Sequence, residues 1–113
     1  VRKKVRDLWD ESFEVWGHAP TSVGPIHVND SFLGLGYAKP AAAEYEAIRI
    51  FAQEEGLILD PVYTGRAAAG LMDLVRTGKI QSGSRVLFWH TGGTPALFAY
   101  ADSIAEYYQV QAP

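Results

Sequence analysis

Val5, Leu8, Trp9, Phe13 and Trp16 recur at helical spacing, with Arg and Lys on the other face, and predict an amphipathic helix that stops near Gly17. Gly17 to Pro25 holds two prolines and two glycines and reads as a loop. Ile26-His27-Val28 then reads as a short strand, turned by Asn29-Asp30-Ser31. From Ala41 to Glu55 the residues Tyr45, Ile48, Phe51 and Ala52 lie on one helical stripe, and Gly56 supplies the stop. Leu57-Ile58-Leu59 reads as a buried strand ended by Asp60-Pro61. A further helix is expected from about Gly65 to Thr77, with Gly78 in the stop position. Arg85 to Trp89 is a near-continuous apolar run of the kind covered on both faces. Thr94 as N-cap and Pro95 in the first turn introduce a last helix, with Ala96, Phe98 or Ala99, Ile104 and Tyr107 on its apolar faces.

Strands alternating with helices predict an α/β fold in three layers, a small parallel sheet flanked by helices. The chain of 113 residues is long enough for one domain, expected over 1–113, and too short for two. Three short strands make a small sheet, and the chain opens on Val1 and not on methionine, so an excised piece of a longer protein is expected.

Charge narrows the function. Ten basic against thirteen acidic side chains leave a net charge of −3, with no basic field to neutralise phosphates, so no nucleic-acid partner is expected. No apolar run approaches a membrane span, no membrane partner is expected, and no signal peptide is read at the start. The absence of cysteine excludes disulfides and thiolate metal sites and leaves cytoplasm as the default compartment. His18, His27 and His90 are scattered without paired spacing, so no metal site is expected and each reads as a surface or packed histidine. There is no G-x-S-x-G nucleophile turn.

Two turns hold candidate chemistry. Trp89-His90-Thr91-Gly92-Gly93-Thr94-Pro95 sets backbone N–H groups and a helix start after an apolar run, although Gly-Gly before a helix is often only a tight turn. Asp60-Pro61-Val62-Tyr63-Thr64-Gly65-Arg66-Ala67 has the same layout and offers a phenol and a hydroxyl, while the small residues Ala67, Ala68, Ala69 and Gly70 permit a close helix contact. The structural alternative is that Tyr63 packs and Thr64 caps the helix.

Glu55 to Ala67, followed by His90-Thr91-Gly92-Gly93-Thr94-Pro95-Ala96-Leu97-Phe98-Ala99-Tyr100, resembles the D-cysteine desulfhydrase and ACC deaminase family, pyridoxal-phosphate enzymes of the tryptophan-synthase-β type. The likeness runs from about Ile26 to Tyr100 and corresponds to the C-terminal third of that family's chain. It implies part of a fold-type-II domain, pyridoxal 5'-phosphate as cofactor, a small amino-acid substrate, and a homo-oligomer or association with a missing N-terminal portion. By the same resemblance Tyr37, in Gly36-Tyr37-Ala38 where the family has Gly-Tyr-Gly, and Tyr63 are the catalytic residues. Thr64, Thr91 and Gly92 are the cofactor-binding residues. The family usually has lysine where Arg66 stands, so charge is kept and geometry is not.

Thr64 and Thr91 stand where ACC deaminases carry Glu and Leu, which is similar to the desulfhydrase side. A glutamate beside the pyridine nitrogen keeps it protonated and makes a strong electron sink; a neutral hydroxyl suffices for α-proton removal and thiol loss. The implied reaction is β-elimination of D-cysteine to pyruvate, ammonia and sulfide, with ACC deamination as the alternative. A free phenol, with a pKa of about 10, serves better as donor than base at neutral pH. Lys3, Lys4, Lys39 and Lys79 stand in none of the family's lysine contexts, so the Schiff-base lysine is not in this chain and these residues alone are expected to be inactive. A non-catalytic, self-associating α/β fragment is the reading from a different class.

Overall fold

The computed structural model describes residues 1–17 and 24–110. They divide into two units, Val1–Asp30 and Ser31–Pro113. The first holds α1 (Arg2–Trp16), which ends at Gly17 in the left-handed region at φ 73°, its N–H bonded to the Phe13 carbonyl. Trp9 and Phe13 meet edge to face at 5.4 Å, yet no residue of α1 is buried. His18 and the stretch to Val23, most of the expected loop, lie outside the described residues. Ile26-His27-Val28 forms no strand.

The second unit is built from α2 (Ala42–Glu55), α3 (Thr64–Arg76), α4 (Ala96–Ala99) and α5 (Ala101–Val110). The expected stripe on α2 is real: Tyr45, Ala47 and Ile48 are buried and meet Leu59, Ala68 and Ala69 in one core. Small residues on α3 let it approach α2 closely. A Cβ on Gly65 would stand 2.6 Å from the Asp60 carbonyl oxygen and 3.1 Å from Ile48 Cγ1, so glycine is required there. Gly70 likewise lies under the Phe32 ring. α5 docks on α2 through tyrosines: the Tyr45 hydroxyl donates to Ser103 Oγ at 3.0 Å, and the Tyr108 hydroxyl donates to the Tyr45 carbonyl at 2.8 Å.

The sheet expected from the sequence is not found. Among the described residues there is no strand, so the three-layer α/β arrangement, and with it the fold-type-II sheet, is replaced by packed helices joined by irregular segments. A strand needs a partner for its ladder of N–H and C=O groups. Residues 57–59 and 85–89 form no regular element, and no backbone hydrogen bond joins one to the other among the described residues. Phe88 instead packs its ring on Phe51 of α2 at 5.2 Å. Leu59 alone of the first segment is fully buried, whereas Leu87 is 82% exposed and Trp89 also faces solvent, so the second run is not covered on both faces.

The last helix also departs from expectation. It is broken at Tyr100, and Thr94 does not cap it: the Thr94 hydroxyl donates to the Ile58 carbonyl at 3.4 Å, and Pro95 holds the N-cap position. Tyr100 sends its own hydroxyl to the Ala38 carbonyl at 2.9 Å, and its carbonyl accepts the first bond of α5 from Ile104.

Candidate functional site

Three loops meet at the start of α3. The first is the turn from Asp60 to Thr64. Asp60 is fully buried, and its carboxylate accepts four hydrogen bonds. Oδ2 takes the N–H groups of Val62 and Tyr63, both at 2.8 Å. Oδ1 takes the N–H of Thr64 at 2.8 Å and its hydroxyl at 2.6 Å. A short acidic side chain reaching its own backbone two to four residues on satisfies donors that the first helical turn leaves open. Burial pushes the Asp60 carboxyl up, but the bonds from Thr64, Tyr63 and Val62 together outweigh it and hold the group below the usual carboxylate range.

This cap fixes Tyr63, the residue before α3, which is 55% exposed. The second loop brings in Tyr37, 75% exposed. The two hydroxyls lie 2.5 Å apart, with either able to donate, and the rings meet at 6.1 Å and 62°. The hydrogen bond with Tyr37 is the main cause that raises the Tyr63 pKa above that of an ordinary phenol, with smaller contributions from burial and from the charges of Tyr37 and Asp60. Tyr63 therefore holds its proton more firmly than an ordinary phenol, and the hydrogen-bonded pair can pass a proton between its two oxygens.

The third loop is 91–94. Gly93, at φ 95°, passes so close to the cap that a Cβ there would lie 2.6 Å from Asp60 Oδ1. His90 Nε2 donates to the Ile58 carbonyl at 3.1 Å and its Nδ1 accepts the Gly92 N–H at 3.1 Å, which fixes the tautomer with the proton on Nε2. The two turns singled out in the sequence thus abut.

The five predicted site residues divide accordingly. Tyr37 and Tyr63 are brought together, 26 residues apart in sequence. Thr64 is 2% exposed; its hydroxyl donates to Asp60 Oδ1 and accepts the Asp60 N–H at 2.8 Å. Thr91 is exposed and makes no side-chain hydrogen bond among the described residues, while the Gly92 N–H is committed to His90. Of the three residues expected to hold the cofactor, Thr91 alone keeps an uncommitted hydroxyl among the described residues, since the one hydroxyl proton of Thr64 and the amide of Gly92 are already spent. Among the described residues no group of three His, Asp or Glu side chains could hold a metal ion, and no helix is long and apolar enough to cross a membrane.

Sequence reading gave no role to Glu44, and named Asp60 and Arg66 as members of the second turn without assigning their contacts. Asp-Pro ahead of a helix is itself a capping signal, and Asp60 could have been found by it. Glu44 and Arg66 form an ion pair at 2.9 Å, with side chains 5% and 15% exposed, which ties α2 to α3 beneath the Tyr37 loop. No sequence pattern links those two positions.

The chain matches no protein-family model. It is 46% identical over 82 residues to D-cysteine desulfhydrase of Salmonella newport (strain SL254), and equally to that of Salmonella heidelberg (strain SL476); each alignment takes in 73% of this chain and 25% of the relative. Among solved structures it is similar to a crystal structure of an ACC deaminase homologue, with a TM-score of 0.73 and 38% identity over 93% of this chain and 31% of the other. The chain therefore spans about a quarter of the length of the curated relatives it matches.

Proposed function

We propose that this chain, which belongs to the D-cysteine desulfhydrase and ACC deaminase family, is the C-terminal part of a pyridoxal-phosphate-dependent lyase that eliminates sulfide from D-cysteine. The observation that carries this reading is the Tyr37–Tyr63 hydroxyl pair on an exposed shelf, held from below by a buried carboxylate cap. Two phenols sharing one hydrogen bond suit a reaction that must move a proton at a small amino acid and protonate a leaving thiolate. The family's cofactor supplies the electron sink for that chemistry when bound. Its Schiff-base lysine and most of its binding groups belong, in this reading, to residues outside these 113.

The chain's own part is then limited and definite. Tyr63 is set by the Asp60 cap, Tyr37 meets it from the neighbouring loop, and the pair orients the substrate and holds a proton. Thr91 is the one predicted cofactor-facing side chain whose hydroxyl has no other hydrogen bond among the described residues. Thr64 and Thr91 stand where ACC deaminases carry an acid and a leucine, a residue pattern that favours the desulfhydrase reading over ACC deamination.

A chimera tests this. Ile26 to Tyr100 of this chain replaces the matching residues of the Salmonella newport relative, and the product is assayed with D-cysteine and with the cyclopropane amino acid. Sulfide and pyruvate from D-cysteine are expected, with no turnover by the isolated 113-residue chain. A folded chimera that binds the cofactor and turns over only the cyclopropane substrate would refute the desulfhydrase assignment.

A further inference from the structure

Tyr37 is 75% exposed and meets the Tyr63 ring, so its place depends strongly on the backbone of its loop. Two side chains hold that backbone: the Tyr100 hydroxyl donates to the Ala38 carbonyl at 2.9 Å, and Arg66 grips the carbonyls on either side. Arg66 Nη1 and Nη2 both donate to the Gly36 carbonyl at 3.3 Å, and Nη2 also donates to the Lys39 carbonyl at 3.2 Å. These carbonyls bracket Tyr37. Arg66 Nε donates to Glu44 Oε1 at 2.9 Å, which fixes the plane of the fork, and Glu44 Oε2 accepts the Ala41 N–H at 3.1 Å. The loop closes over the pair at Gly34, where a Cβ would stand 3.1 Å from Arg66 Nη2 and 3.3 Å from Glu44 Oε1.

We propose that Arg66, oriented by Glu44, is a positioning residue that sets the Tyr37 hydroxyl against that of Tyr63. Arg66 and Tyr63 are three residues apart at the start of one helix. The start of α3 therefore holds both one phenol, at its N-cap, and a clamp on the loop that carries the other. The guanidinium matters for its shape. Its donors lie in one plane and serve a carboxylate and two carbonyls at once, whereas an ammonium on a flexible stem is a point charge. The catalytic meaning of this clamp rests on the function proposed above; the clamp itself does not.

Tyrosine labelled at Cζ in the full chain reports on the pair by NMR, with the Tyr63 resonance assigned by its loss in Tyr63→Phe. Tyr37 and Asp60 are the titratable groups whose charge and hydrogen bonds bear on Tyr63. Arg66→Met is expected to lower the Tyr63 titration midpoint by as much as Tyr37→Phe does, and Tyr37→Phe added to Arg66→Met is expected to lower it no further. An unchanged midpoint in Arg66→Met, or a further fall in the double variant, would overturn the proposal. Should Arg66→Met not fold by circular dichroism, Arg66→Lys keeps the charge beside Glu44 and is expected to lower the midpoint part of the way; no change there would be equally fatal. Neither measurement involves substrate, so inactivity of the chimera toward D-cysteine would leave this result standing.

Discussion

Replacing Asp60 with asparagine isolates the cap on which the site is built. The wild-type carboxylate accepts four hydrogen bonds, two at each oxygen. Asparagine keeps one oxygen, which can stay on the Thr64 N–H and hydroxyl. Its NH2 group then faces the N–H groups of Val62 and Tyr63, donor against donor. Each buried donor left without an acceptor costs about 1–3 kcal/mol, so the pair gives a loss of about 2–6 kcal/mol. The Tyr63 amide is only partly buried, which places the expectation in the lower half of that range. Against a total stability of about 5–15 kcal/mol for a domain, the effect is large.

Urea unfolding followed by far-UV circular dichroism measures it, read as a shift in midpoint at unchanged slope. The pH dependence supplies a second, independent reading. The folded Asp60 carboxyl lies below its unfolded value, so the unfolded state binds more protons in acid. The contribution of Asp60 is therefore present above the ordinary carboxylate range and is lost as pH falls through the folded pKa. The gap between wild type and Asp60→Asn should be full at pH 7 and close in acid. A loss under about 0.5 kcal/mol at neutral pH, well short of a single orphaned donor, would refute the role given to the cap. So would a gap that stays constant into acid.

Three further substitutions probe the same frame. Gly93→Ala forces a methyl onto Asp60 Oδ1 at a residue with φ 95°, and a loss of about 2–4 kcal/mol in urea is expected from strain and overpacking together. Ala38→Gly relieves the one described non-glycine residue at positive φ, 57°, and a gain of up to about 1 kcal/mol should appear as a raised midpoint, because left-handed strain exceeds the entropy glycine adds. Arg76→Ala breaks an ion pair with Glu46 at 2.8 Å that is largely exposed, so stability should fall by no more than about 1 kcal/mol, and salt should shrink the difference.

α2 and α3 were legible because their information is local, whereas the break between α4 and α5 at Tyr100 was not. Tyr45, Ile48, Phe51 and Ala52 mark one face of α2, Gly56 marks its end, and the observed bounds agree within a residue. The expected strands carried the right local pattern and the wrong inference. Leu57-Ile58-Leu59 and Arg85 to Trp89 favour strand by composition, but a strand exists only with a hydrogen-bonded neighbour, and none is present among the described residues. Pairing across the chain cannot be read from a run of apolar residues.

The site shows the same division. That Tyr37 and Tyr63 belong together came from resemblance and not from spacing, since nothing periodic relates positions 26 apart. Thr64 as a helix cap was weighed from its place before small residues; that its hydroxyl closes on Asp60 depends on a backbone turn that composition does not encode. Arg66 was noted only as a departure from the family's lysine. Its use of a planar fork on Gly36 and Lys39 becomes visible once α3 and the loop are side by side.

The tyrosine pair as the working face of the chain is most directly tested in the chimera, by the rate of sulfide release from D-cysteine with Tyr37→Phe and with Tyr63→Phe. Each loss of a proton-transferring hydroxyl should lower kcat by about 10²–10⁴-fold, with the double variant little worse than the worse single one. Release within about threefold of the unsubstituted chimera in both single variants, against that expected loss, would contradict the account.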